Sequence, residues 1–460
     1  MSSETTAGTA GFWTLARVVA ATGVPLPPGS DPSLPLRAVC TDTRTLQQGD
    51  IFVALRGERF DAHAFLEQAV AAGATALIVE DATQAAHLGV PLVVVADTLV
   101  ALGALARERR RAWGGPVVAV AGSNGKTSTK ELLSAALGAS LRVHATAGNF
   151  NNRVGLPLTL LSLPDDAQVA VIEVGTNAPG EIALLRDICE PDIAVLTSIG
   201  EEHLEKLGDL AGVLREESSI FDGVALAVTP AAQPEIAAAA AGRVERVIVA
   251  GLDDGDIHAD AWRLLDDGTG TIEIDDIQVH VPLRGHHNLR NAMLAIAVAR
   301  HFDVPLAKVA PAIASMPLPR MRMAWEPLGR AIVLNDAYNA NPPSMRAAFE
   351  LMTTMGGGRQ RVAVLGTMRE LGASSDVLHR EIARAALDAP FDLVAGVGLF
   401  ADALESEGAG DARVVIAPDV DDLWTLLRPR LEPDSLILLK GSRGARLERL
   451  IPHLSAWATR

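Results

Sequence analysis

Short apolar runs recur along this chain, several of them ending at a glycine or a charged side chain. Val117–Ala121 reads VVAVA, and similar runs fall at 169–174, 193–198, 224–228 and 247–250. Runs of this length without polar alternation predict strands buried on both faces, and the helical stretches between them predict an α/β architecture. Before Val117 the same reading gives strands at 50–55 and 74–79 and helices at 63–72 and 101–111. The last of these ends in a basic run, 107–111, expected to be a solvated face. After 250, the acid-rich stretches 253–260 and 266–276 predict solvated loops and one hairpin around 268–270, and an alanine segment at 237–241 predicts helix. The polar stretch 285–291 is expected to cap a helix over 292–301. Two prolines in 316–320 (MPLPR) mark a linker. Beyond it, strands at 331–335, 361–365, 392–397, 413–416 and 435–439 alternate with helices at 344–355, 375–387, 399–405, 421–431 and 447–456, a doubly wound pattern. The expected boundaries are 1–112, 113–316 and 317–460: a small α/β domain, a central parallel-sheet domain and a C-terminal Rossmann-like domain.

Composition narrows this picture. With 49% hydrophobic residues but only 4% aromatic ones, the cores must be aliphatic, as α/β layers require. A net charge of −16 argues against a nucleic-acid footprint. Cys40 and Cys189 are the only cysteines and form no CxxC, which disfavours a disulfide scaffold and a cysteine-bound zinc and fits a reducing cytoplasm. The small, polar first eleven residues are expected to be a frayed tail, not a signal peptide. No apolar run reaches the roughly 18 residues of a membrane span.

The chemistry concentrates after Val117–Ala121. Gly122-Ser123-Asn124-Gly125-Lys126-Thr127-Ser128 follows a predicted strand and opens a helix, the layout of a phosphate-binding loop. Glycines let backbone N–H groups approach phosphate, the helix N-terminus faces it, Lys126 neutralises β/γ-phosphate charge, and the Thr127 hydroxyl reaches Mg²⁺. Val120 stands where the general pattern has glycine, so this is a shortened G-x-x-G-K-T. Glu173 lies near the end of the predicted strand 169–174, at the edge where open parallel sheets bind ligands, and is a candidate Mg²⁺ ligand. His203, in the polar stretch after the next strand, is read either as structural or as a ligand. Asn149, Asn151 and Asn152 form a cluster with two readings, local turn chemistry or a grip on a hydroxyl-rich substrate. Thr43 and Arg44 sit on an early loop. Loops at 335–341, 366–372 and 440–443 line one predicted sheet edge of the third domain.

These stretches together resemble the Mur ligase family. The resemblance is carried by TDTR and GERFDAHAF early in the chain, GSNGKTSTKE, GNFNN, IEVGTNAPGEI, EEHLEKLG and GHHNLRNA in the middle, and NDAYNANPPSM, VLGTMRELG and KGSR late. The DAYNANP stretch points to the branch that adds a dipeptide. The resemblance implies ATP and Mg²⁺ as cofactors, with UDP-N-acetylmuramoyl-tripeptide and D-alanyl-D-alanine joined through an acyl phosphate by a cytoplasmic monomer. It implies that the first domain holds the UDP end through Thr43 and Arg44, that Asn291 contacts adenine, and that Arg322, Asp336 and Asn339 close over nucleotide and dipeptide. Lys126, Glu173, His203 and Glu217 are then the catalytic set, with Thr127, Glu173, His203 and Glu217 around the metal. Alternatives are a sister ligase adding the third peptide residue, or a non-catalytic ATP-binding regulatory protein.

The sequence departs from the family at one informative place. The helix after EEHLE usually carries a lysine that is carbamylated by CO₂; anchoring on Ile220-Phe221 puts Glu217 there. The Glu217 carboxylate is expected to replace the carbamate; the competing reading is a solvated helix residue. Asn335 and Thr367 stand where acids are common, and Arg153 follows the double asparagine.

Overall fold

A computed structural model describes residues 11–57, 60–355 and 357–459. Residues 1–10, which make up all but Gly11 of the expected tail, and Glu58 and Arg59 of the GERFDAHAF stretch lie outside the described residues. The chain forms two compact units, one built from 1–119, 141–175 and 183–193, the other from 120–140, 176–182 and 194–460.

The first unit contains a sheet of four short parallel strands in the order Val39–Cys40, Ile51–Val53, Ala76–Val79, Leu92–Val94. Phe52, Leu66 and Leu77 fill the core against it. A second parallel pair, Val143–Ala145 with Val169–Glu173, belongs to the same unit. Helix Thr98–Trp113 corrects the expectation for the basic run. Arg109 and Arg110 are buried. Arg109 donates to the Leu163 carbonyl at 2.6 Å, and Arg110 donates to the carbonyls of Cys189 and Glu190 and to Asp192. Arg107 and Arg111 both pair with Glu190. A guanidinium has enough donors to tie off several helix-end carbonyls, so Arg109 and Arg110 fasten loops, while Arg111 keeps the solvated face expected of the run.

Strand Val117–Ala121 runs out of the first unit into the second, where Thr197 N donates to the Ala121 carbonyl at 3.0 Å. Strands Leu226–Pro230 and Arg246–Ala250 pair in parallel. The acid-rich region holds three antiparallel strands, Ala261–Leu264, Gly270–Ile274 and Ile277–Val281, and so two hairpins where one was expected. The second turns at Asp275-Asp276, both with positive φ, a two-residue turn that aspartate tolerates. Helix His286–His301 starts earlier than expected, which moves Asn291 from the helix start to its interior.

The C-terminal sheet has the order Ala324–Leu328, Ala331–Asp336, Leu436–Lys440, Arg361–Leu365, Leu393–Val397, Val414–Ala417. The first pair is antiparallel and the others parallel. Apolar clusters cover both of its faces, as a doubly wound sheet requires. The strand Ala324–Leu328 was not expected from AWEPL, which lacks alternation and contains Pro327. It lies at the sheet edge, where a proline costs no ladder bond. Among the described residues no helix is long and apolar enough to cross a membrane.

Candidate active site

The loop after Val117–Ala121 is held by the end of the neighbouring strand. Ser123 N donates to the Ser198 carbonyl, Asn124 N to Ser198 Oγ, and Thr197 Oγ to the Asn124 carbonyl. Ser123 Oγ and the Gly200 backbone exchange two further bonds. Gly122 has φ 123°, and a Cβ there would lie 2.4 Å from Thr197 Oγ1. Gly125, at φ 85°, approaches Asn291 so closely that a Cβ would lie 2.8 Å from its Nδ2. Only glycine fits either place. Helix Lys126–Gly138 then starts with no side-chain cap, and its N-terminal end suits an anion. Lys126 Nζ folds back onto the Gly122 carbonyl and lies 3.9 Å from Glu202.

Two buried acids stand behind this loop. Glu217 is fully buried near the end of helix Leu210–Ser218, and its Oε2 accepts from Gly122 N at 2.8 Å. This removes the reading of Glu217 as a solvated helix residue. Burial pushes its carboxyl up to about 8, with the nearby Glu202 adding to the rise and Lys126 opposing it. Glu202 was not singled out from the sequence; it is buried beside Glu217. Glu202 Oε1 and Glu217 Oε1 are both buried without a hydrogen-bond partner. Such oxygens beside a phosphate loop fit a hard divalent cation, because Mg²⁺ takes one or two carboxylates and leaves its remaining positions to phosphate and water. Among the described residues no three His, Cys, Asp or Glu side chains converge as a ready-made metal cluster.

His203 follows Glu202. Its Nε2 lies 3.7 Å from Glu202 Oε2 and its Nδ1 2.5 Å from Glu370 Oε2. The hydrogen bond from His203 holds the Glu370 carboxyl below the usual range. Neighbouring Glu216 takes no part in this group; it accepts from Gly180 N and Ile182 N and so shapes the loop 176–182.

In the first unit, Glu173 ends its strand almost fully buried and accepts from Asn151 Nδ2 at 2.8 Å. The asparagine cluster is divided. Asn152 Oδ1 accepts from the Val154 and Gly155 N–H groups, which is local turn chemistry, while Asn149 is exposed. Thr43 and Arg44 lie on a loop where Arg44 pairs with Asp42 at 2.6 Å and is otherwise solvated.

At the C-terminal sheet, Asp336 and Lys440 end adjacent strands in register and form an ion pair at 2.5 Å in which the lysine is buried. Lys440 also donates to the Asn339 carbonyl, and Met323 N donates to Asp336. Arg322 sits between Met321 and Met323, both with positive φ, and lies 4.5 Å above the Tyr338 ring. Lys440 was legible only as part of a polar loop, because a lysine that closes an apolar run looks like a strand end. Burial of the neighbouring His287 pushes its imidazole down to about 4. Asn291, also buried, bonds Asn288 and faces Gly125.

Fold and loop together define a phosphate-loop α/β protein with a doubly wound C-terminal domain. Three segments match descriptions of one family: residues 35–110 the Mur ligase family catalytic domain, 120–299 the Mur ligase middle domain, and 320–443 the Mur ligase glutamate ligase domain. The chain belongs to the Mur ligase family. It is 35% identical over 428 residues to UDP-N-acetylmuramoyl-tripeptide–D-alanyl-D-alanine ligase of Bacillus subtilis (strain 168), covering 91% of this chain and 93% of the relative. A crystal structure of MurF from Acinetobacter baumannii superposes with a TM-score of 0.87 at 33% identity, covering 96% of this chain and 99% of the other. The structure of MurF ligase from Thermotoga maritima in complex with ADP gives 0.81 at 28% identity, covering 93% and 99%.

Proposed function

We propose that this chain is an ATP-dependent ligase that joins D-alanyl-D-alanine to UDP-N-acetylmuramoyl-tripeptide, giving the pentapeptide precursor of peptidoglycan. The observation that carries this is an intact phosphate loop in a chain that matches ligases of that name along almost its whole length. The tripeptide carboxylate attacks the γ-phosphorus of ATP, the bond to the β-phosphate oxygen breaks, and an acyl phosphate and ADP result. The dipeptide amine then adds to the acyl carbon, and the tetrahedral intermediate expels phosphate as the amine gives up a proton.

The barrier in the first step is the approach of two anions. Lys126 and the uncapped N–H groups of helix Lys126–Gly138 stabilise the charge that develops on the transferring phosphoryl group. Thr127, Glu202, His203 and Glu217 of the second unit would hold Mg²⁺, which supplies further charge neutralisation at the phosphates. Glu217 supplies as a side chain the carboxylate that other members make from lysine and CO₂. For Glu173 a metal role rests on its motif and its place at a strand end. Asn291 contacts adenine, Arg322, Asp336 and Asn339 serve nucleotide and dipeptide, and Thr43, Arg44, Asn149 and Asn151 serve the UDP substrate. Asn152 is engaged in its own turn. The enzyme works as a cytoplasmic monomer on this reading.

Coupled ADP release tests the reading. Tripeptide substrates ending in diaminopimelate or lysine are combined with D-alanyl-D-alanine, diaminopimelate, lysine or glutamate. ADP is expected only when a tripeptide and D-alanyl-D-alanine are both present. Turnover of the dipeptide precursor, assayed alongside with the same single amino acids, would assign a sister activity, and ATP binding with no amide product would leave a regulatory protein.

A further inference from the structure

His203 and Glu370 are both non-glycine residues in the left-handed region, at φ 51° and 66°. Side chains make that conformation unfavourable, so it persists only where surroundings enforce it. Here the two residues enforce each other. His203 Nδ1 lies 2.5 Å from Glu370 Oε2, and Glu205 N donates to the Glu370 carbonyl at 3.1 Å. Gly372 passes so near Glu205 that a Cβ would lie 2.8 Å from its Cα. Leu204 packs on the core of the C-terminal sheet. The opposite ring nitrogen, Nε2, faces Glu202, whose second oxygen is buried without a partner.

We propose that Glu370 is a positioning residue: it binds the Nδ1 proton of His203 and so presents the Nε2 lone pair, beside Glu202 and Glu217, to a divalent cation. An imidazole carries one proton when neutral, and the partner of one nitrogen decides which nitrogen is free to ligate. The loop that follows strand Arg361–Leu365 therefore completes a cation site otherwise built around the phosphate loop, and the cation is bound in full strength only when that loop is seated on His203. The inference rests on the reading of His203 as a cation-facing residue.

The test uses the full-length protein and two readouts. Long-range ¹⁵N–¹H NMR of the metal-free protein at about pH 8, where an ordinary histidine is neutral, reports the tautomer of His203, assigned by loss of its signals in His203→Gln. Mn²⁺ binding in the presence of ADP, followed by electron paramagnetic resonance, reports the cation affinity. Nδ1–H is expected in the wild type, with Mn²⁺ affinity reduced about 10–100-fold in Glu370→Ala. Glu370→Gln, whose amide oxygen still accepts from Nδ1–H, is expected to retain most of the affinity. An Nε2–H tautomer in the wild type overturns the proposal, and needs no variant to fold. Wild-type Mn²⁺ affinity in Glu370→Ala also overturns it, provided that His203→Gln binds weakly; the cation-facing reading of His203 then stands. If His203→Gln itself binds Mn²⁺ as the wild type does, that reading fails and the proposal fails with it.

Discussion

Lys126, Glu202 and Glu217 lie close to one another beside the phosphate loop. Lys126 is aimed into its own loop and held near Glu202. Replacing it by alanine removes an electrostatic stabiliser, and turnover in steady-state kinetics should fall by about two to four orders of magnitude. Near-normal turnover would remove its assigned role. Glu217 makes a second prediction. Its folded-state value is raised from 4.5 to about 8, chiefly by burial, so the native state holds a proton that the unfolded chain releases above 4.5. On this account the metal-free protein is most stable below the unfolded value and loses stability as pH rises toward 8. Glu217→Gln keeps an acceptor for Gly122 N without the ionisation, so its advantage over wild type should grow between about pH 5 and pH 8. Denaturant midpoints at the two pH values check this; parallel profiles would show that Glu217 is not held protonated.

Among the elements, helix Pro342–Thr354 shows how one of the diagnostic stretches works physically. Asn341 Oδ1 accepts from Ser344 N and Ser344 Oγ accepts from Asn341 N, a reciprocal capping box with Pro342 in the first turn. The residues that make the NANPPS stretch recognisable are thus partly the residues that start a helix. Asn341→Ala should cost about 1 kcal/mol of stability, visible as a lowered melting temperature. Asn341→Asp should retain most of it, since a carboxylate caps equally well and suits the positive helix end. Indistinguishable melting of the alanine variant would mean that the cap carries no weight.

At the scale of the whole molecule, each compact unit is assembled from three separate segments, and strand Val117–Ala121 belongs partly to both. The phosphate loop, Asn291, Glu202 and Glu217 all lie in the second unit. A nucleotide that binds only the folded protein should raise stability by about 2.7 kcal/mol at a free concentration one hundred times its Kd. ADP with Mg²⁺ is therefore expected to raise the melting temperature, and Lys126→Ala to lose most of that shift at the same ligand concentration. A full shift in the variant would place the nucleotide away from this loop.

Much of this was legible in the linear chain because it depends on local order. Buried parallel strands are unbroken apolar runs, and a phosphate loop must be glycine-rich between a strand and a helix, so Val117–Ala121 and Gly122–Ser128 identify themselves. What depends on distant partners was not. Arg109 and Arg110 look solvated until the carbonyls of Leu163, Cys189 and Glu190 arrive beside them. The edge strand Ala324–Leu328 has no periodicity of its own and forms because Ala331–Asp336 offers a ladder. Asn152 and Asn151, one residue apart, were given opposite tasks by their surroundings, a turn and a buried acid. Glu202, Lys440 and Glu370 became candidates only when folding buried them or set them against a partner, because a carboxylate or an ammonium acquires its chemistry from the dielectric and the charges around it. The sequence by itself determined the layers, the loop and the family; the tertiary structure decided which charges lose their water and face one another.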